Sequence, residues 1–100
     1  MASEGNGIVW HVAFAGTAAK DLKTLHKSAK KLGLGEAYVS AMRFAFHRMR
    51  YNPLAFGELI KKWPKSQLLF HIRIVEPLLF EFAIHEATHN VLIQRIQLLL

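Results

Sequence analysis

Cysteine is absent from the 100 residues. A disulfide framework, a thiolate metal site and a cysteine nucleophile are therefore all excluded, and stability has to come from packing. Acidic residues are scarce, with seven Asp and Glu against 13 Lys and Arg, which leaves a formal charge of +6. Three prolines and six glycines are too few for a low-complexity segment, and no internal repeat is present. No apolar run approaches the ~18 uninterrupted residues of a transmembrane helix. The first seven residues, Met1 to Gly7, have neither a basic n-region nor an apolar h-region. These absences predict a soluble, cytoplasmic chain with a flexible leader over 1–7 and no membrane partner. What is present is enough apolar material for one core, at 52% of residues with 20% charged. Residues 1–100 are accordingly read as a single domain.

The positive charge is unevenly placed. Residues 20–50 hold eight Lys and Arg against Asp21 and Glu36, and residues 51–75 hold four against Glu58. Residues 76–100 hold only Arg95 against Glu76, Glu81 and Glu86. The basic character belongs to the first three quarters of the chain, which points to a polyanion or an acidic protein as partner.

Hydropathy patterning orders the elements. Ile8 to Ala15 places a large apolar side chain at every second position, the period of a half-buried strand. Gly16-Thr17 breaks it, and Thr17 is a candidate N-cap for a helix with Leu22, Leu25, Ala29 and Leu32 on one face and lysines around the other. Gly33 is its candidate C-terminal stop. A second helix is predicted from about Glu36 to Tyr51, with Tyr38, Met42, Ala45 and Met49 as one stripe and Glu36, Ser40, Arg43, His47 and Arg50 as another. Asn52-Pro53 ends it. Gly57 to Pro64 has the length of a short strand. Leu68, Phe70, Ile72 and Ile74 then alternate with Leu69, His71, Arg73 and Val75, and the period resumes after Glu76-Pro77 with Leu78, Phe80, Phe82 and Ile84. A polar break at 86–90 leads to a last strand from Val91 to Leu98. The order β-α-α-β-β-β-β predicts an α+β fold, a helical hairpin packed on a mostly antiparallel sheet.

His85-Glu86-Ala87-Thr88-His89 is a literal H-E-x-x-H string. On a helix, its histidines would share a face and ligate zinc while the glutamate polarised the bound water, as in a small zinc metallopeptidase. Two features oppose that reading. Period-two flanks place the string in a hairpin loop, and the residues after His89 contain no His, Asp or Glu to serve as a third ligand. No metal and no cofactor is assigned. Nucleophile elbows and phosphate-binding glycine loops are absent.

Taken in order, several segments carry a resemblance. They are Val12-Ala13-Phe14 leading into Ala18-Ala19-Lys20-Asp21-Leu22, then Tyr51 to Glu58, then Glu76-Pro77-Leu78-Leu79-Phe80, and finally Asn90 to Ile96. Across nearly the whole chain the sequence resembles the RelE/ParE superfamily of bacterial toxin-antitoxin toxins. The resemblance implies a toxin module that binds an acidic antitoxin and a cellular target, either DNA gyrase or the ribosome and its RNA. In the ribonuclease branch it implies metal-independent cleavage of mRNA on the ribosome, driven by an acid/base pair and phosphate-holding cations. His71 and Arg73 stand at that branch's basic-x-basic position and share one strand face. Arg95, the only cation on the last strand, is the third catalytic candidate on this reading, as phosphate support. Lys61, Lys62 and Lys65 precede the pair and are candidates for backbone phosphate, and Trp63 for base stacking. Where the branch carries an arginine, this chain has Pro77-Leu78-Leu79, and it ends at Leu98-Leu99-Leu100 without the branch's basic and tyrosine or histidine tail. Those differences favour binding over catalysis. The last strand is expected to be an exposed edge, covered by a homodimer mate or by an antitoxin segment.

Overall fold

The computed structural model describes residues 7–99; the rest of the expected leader, residues 1–6, and Leu100 lie outside the described residues. The elements run β1 (His11–Phe14), α1 (Ala18–Lys31), α2 (Gly35–Tyr51), α3 (Pro53–Phe56), β2 (Glu58–Trp63), β3 (Leu68–Val75), β4 (Leu78–His85) and β5 (Asn90–Leu98), with a 3-10 turn at Glu86–Thr88 before β5. The fold is the α+β order read from the hydropathy pattern, with one addition. Pro53 does stop α2, yet its fixed φ suits the first turn of a new helix, and α3 begins on it.

Local chemistry sets the helical hairpin. Thr17 occupies the N-cap position of α1, but its backbone is already helical (φ −89°, ψ −4°) and its hydroxyl makes no capping bond, because a side-chain cap needs extended backbone there. The other end closes as expected. Gly33 takes φ +75°, its N–H donates to the Lys30 carbonyl at 3.0 Å, and the Leu34 N–H donates to the Ala29 carbonyl at 2.7 Å. That pair of bonds satisfies carbonyls left over at the helix end and turns the chain back. Leu32, assigned above to the core face, is instead 52% exposed, because it is the C-cap and lies beyond the last full turn. The two helices pack on each other, and each buries small residues, Ala18 and Ala29 on α1 and Ala41 and Ala45 on α2. At their contact the His26 ring stacks on Tyr38 (4.9 Å, 11°), and the Tyr38 hydroxyl donates to the Leu22 carbonyl at 3.3 Å.

The sheet has five strands in the order β1-β5-β4-β3-β2. β1 is parallel to β5 and the other pairs are antiparallel. β5 is thus an interior strand, which corrects the expectation that it forms an exposed edge. The helical hairpin carries the chain away after β1 and leaves the position beside it open for the last strand. β1 reaches only as far as Ile93, so Gln94–Leu98 continues past it beside α1. The sheet edges are β1 and β2.

Strand register decides which side chains meet the helices. On β4, Leu78, Phe80, Phe82 and Ile84 are completely buried. Register places Val75, Arg73, His71 and Leu69 of β3 directly opposite them, hence on the same face. The fully apolar set of β3, Leu68, Phe70, Ile72 and Ile74, is thereby turned to the face the helices do not cover, where Ile74 is 52% exposed. Period-two alternation alone favours the opposite orientation. On β5 one extra residue, Gln94, shifts the register between Glu81 and Phe82, which lets Val91, Ile93 and Ile96 all reach the core.

Gly57 joins α3 to β2 under the core. A Cβ placed on it would lie 2.9 Å from Phe82 Cζ and 3.0 Å from the Ile72 carbonyl oxygen. Gly57→Ala is expected to lower stability by about 1–3 kcal/mol through this overpacking. Urea unfolding checks it: the midpoint should fall with the m value unchanged, and an unmoved midpoint would contradict the close approach.

Candidate functional site

β3 carries both halves of the basic-x-basic pair on its helix-side face, and it treats them differently. His71 is 4% exposed. Its ring stacks on Phe82 (5.5 Å, 19°), and Nδ1–H donates to the Leu69 carbonyl at 3.3 Å, a contact that places the proton on Nδ1 because a carbonyl only accepts. Burial pushes the imidazole below its ordinary 6.5, outweighing the Leu69 carbonyl and the Glu86 charge, which pull the other way. His71 is therefore a neutral packing histidine at pH 7. Arg73, two residues on, is exposed, and its guanidinium lies 5.3 Å from the centre of the Phe56 ring.

Arg95 does not join them. It sits opposite Glu81, which sits opposite Ile72, so it lies on the open face of the sheet. There it pairs with Glu81 at 2.6 Å. The three candidate catalytic residues are thus divided, with His71 and Arg73 on one face and Arg95 on the other.

The lysines are divided in the same way. Lys61 is opposite Phe70 and Lys62 opposite Leu69, so the first shares the open face and the second the helix-side face. Lys61 Nζ lies 4.8 Å above the Trp63 ring, and Trp63 meets Phe70 edge-on at 5.3 Å. Trp63 is 48% exposed, so cation, indole and phenyl form a row at the sheet's rim. Lys65 lies in the exposed turn that follows. Beside this turn is a hollow of about 520 Å³ lined by Lys62, Trp63, Pro64, Gln67, Leu69 and Glu86 among others. A second groove, about 560 Å³ and walled chiefly by Leu25, Leu32, Ile96 and Leu98, runs between α1 and the part of β5 that β1 does not reach.

Arg48 was not singled out by sequence. Its guanidinium lies 5.9 Å from the Phe44 ring, Phe44 packs on Phe56 at 6.1 Å, and its Nε is buried without a hydrogen-bond partner. The signal available beforehand was the spacing of Phe44 and Arg48, four apart on one helix. Its neighbourhood, with α3 and Arg73, needed the fold.

The H-E-x-x-H string is not helical. Glu86–Thr88 forms the 3-10 turn, and His89 takes a left-handed conformation (φ 55°). His85 Nδ1 is 2.7 Å from Thr88 Oγ1, which also accepts from the Asn90 amide at 2.7 Å. The His89 ring packs edge-on against Trp10 at 4.9 Å. The two histidines are held by different neighbours, and among the described residues no group of three or more His, Asp or Glu side chains gathers to hold a metal ion. No described helix is long and apolar enough to cross a membrane.

Comparison of the fold with solved structures finds a chain of the RelBE2 toxin-antitoxin complex from Mycobacterium tuberculosis, with a TM-score of 0.63 over 95% of this chain and 97% of that one. The chain has a RelE-type fold. Sequence identity to that chain is 19%. No protein-family model and no curated protein matches the sequence. The likeness is one of shape over 95% of the chain.

Within this RelE-type fold, the buried His71 has a measurable signature. Folding holds its affinity for a proton below that of the unfolded chain. The unfolded state therefore binds the proton first, and stability falls as pH drops below about 6.5. His71→Phe is expected to flatten that decline while keeping the stack on Phe82. Melting temperatures at about pH 7.5 and about pH 5 test it; an equal loss on acidification in both proteins would refute the assignment.

Proposed function

We propose that the chain is a RelE-like toxin module of a type II toxin-antitoxin pair, acting by binding an acidic antitoxin and a cellular target, gyrase or ribosome. The observation that carries this reading is the end-to-end likeness in fold to a chain of a toxin-antitoxin complex. Charge supports it: the lysines of α1, namely Lys20, Lys23, Lys27, Lys30 and Lys31, and those of β2 and its turn are exposed, which suits an anionic partner. Binding, and not catalysis, is favoured by the disposition of the candidate acid/base. A general base has to come within about 3 Å of the proton it takes, and His71 is enclosed against Phe82 while Arg95 is committed to Glu81 on the other face. Lys61, Lys62 and Lys65 remain the residues through which ribosomal or messenger RNA would be held, should the target be the ribosome.

Inducible expression in a bacterial host is expected to arrest growth, and the arrest should persist with His71→Phe and with Arg73→Ala. Loss of arrest in both variants, with normal folding by circular dichroism, would replace this reading with the endoribonuclease one. Absence of arrest in the parent protein would reject the toxin reading. Retention of the purified chain on gyrase or on ribosomes separates the two targets.

A further inference from the structure

β2 is an edge strand exposed along its whole length. Its inner side pairs with β3, and among the described strands none pairs with its outer side. Three large apolar side chains stand on it, Leu59 at 46% exposure, Ile60 at 58% and Trp63 at 48%, together with Lys61 and Lys62. Unpaired edges of this length invite a further strand, and proteins usually blunt them with charge or a bulge. Both devices are present: two adjacent lysines, and a bulge at Ile60, where the register skips from Leu59 to Lys61.

These features discriminate between partners. A second copy pairing antiparallel through the middle of β2 would bring two Lys61-Lys62 pairs together, with Glu58 the only carboxylate on either strand. Like charges facing each other across strands are destabilising. A different extended segment meets no such penalty if it carries carboxylates opposite Lys61 and Lys62. Lys61 and Trp63 lie on the open face, while Leu59 and Lys62 lie on the helix side. Each face of β2 thus presents one lysine and one large apolar side chain. The complementary strand reads apolar, any residue, acidic, acidic, apolar, opposite positions 59 to 63.

We infer that β2 is the docking edge for an extended acidic and apolar segment of a partner protein, which joins the sheet as an added outer strand. Main-chain bonds to the free side of β2 hold it, and the alternating side chains select it. The inference rests on the acidic-partner reading above and places that contact on one strand.

The test uses the purified, isotope-labelled chain and a capped hexapeptide, Val-Glu-Glu-Thr-Ile-Thr, which meets that pattern when it runs antiparallel to β2, followed by amide NMR shifts at about millimolar concentration, where weak peptide binding is visible. The expected result is shifts confined to 58–63 and the adjoining β3 amides. Binding should be lost to a peptide of the same sequence N-methylated at alternate positions, and weakened about tenfold by Lys61→Glu with Lys62→Glu. Four results would overturn it: no shifts, shifts centred on the groove between α1 and β5, equal binding of the N-methylated peptide, or equal binding of hexaglutamate. Concentration-dependent shifts of β2 without peptide would overturn it too, by assigning the edge to a second copy. Growth arrest without peptide binding rejects the docking edge and leaves the toxin reading, and peptide binding without arrest does the reverse.

Discussion

Phe82 is the contact on which the arrangement of the other elements depends. Its ring, fully buried on β4, is met by Phe56 of α3 at 5.7 Å and by His71 of β3 at 5.5 Å, and a Cβ at Gly57 would lie only 2.9 Å from it. One side chain thereby joins the short third helix, the return into β2 and the central hairpin. Burial of a phenylalanine is worth roughly 1.5–3 kcal/mol, but its geometric consequence is larger than that figure. It requires glycine at position 57, and it holds His71 as a flat packing partner.

That arrangement also governs the chemistry of the surface. The β3 face that carries His71 and Arg73 is drawn toward the helices, where the imidazole loses its solvent and Arg73 reaches outward over Phe56. Lys61, Trp63, Phe70, Glu81 and Arg95 are left on the uncovered face. Cations on the two faces cannot converge on one phosphate through the sheet. Dispersed lysines, exposed apolar side chains and an edge strand with no outer partner among the described residues make up the surface that results.

Much of the architecture was legible from sequence because each signal was local. Gly33 ended α1 through its positive φ, Pro53 ended α2, and period-two alternation placed β3 and β4 to within a residue. The failures were also physical. Thr17 had the right identity for a cap and the wrong backbone. Leu32 had the right spacing and lay past the end of its helix. His85 and His89 had ligand spacing, which has meaning only on a helix, and the chain makes a 3-10 turn there. The placement of β5 failed for a different reason: adjacency of β1 to β5 is a pairing between the two ends of the chain, and no local pattern encodes it.

The sequence by itself determined every strand and both long helices in their order, though not α3, together with the basic balance and the absence of thiol chemistry, since these depend on residue type and on periods of two and 3.6. Only the tertiary structure decided which face of each strand is buried. β3 has one wholly apolar face and one that includes histidine and arginine, and its pattern alone sends the first inward. Pairing with β4, whose own buried face is uniform, sends it outward, because residues opposite one another in a ladder share a side. That single constraint makes His71 a core residue, separates it from Arg95, and leaves Trp63 and β2 at the surface.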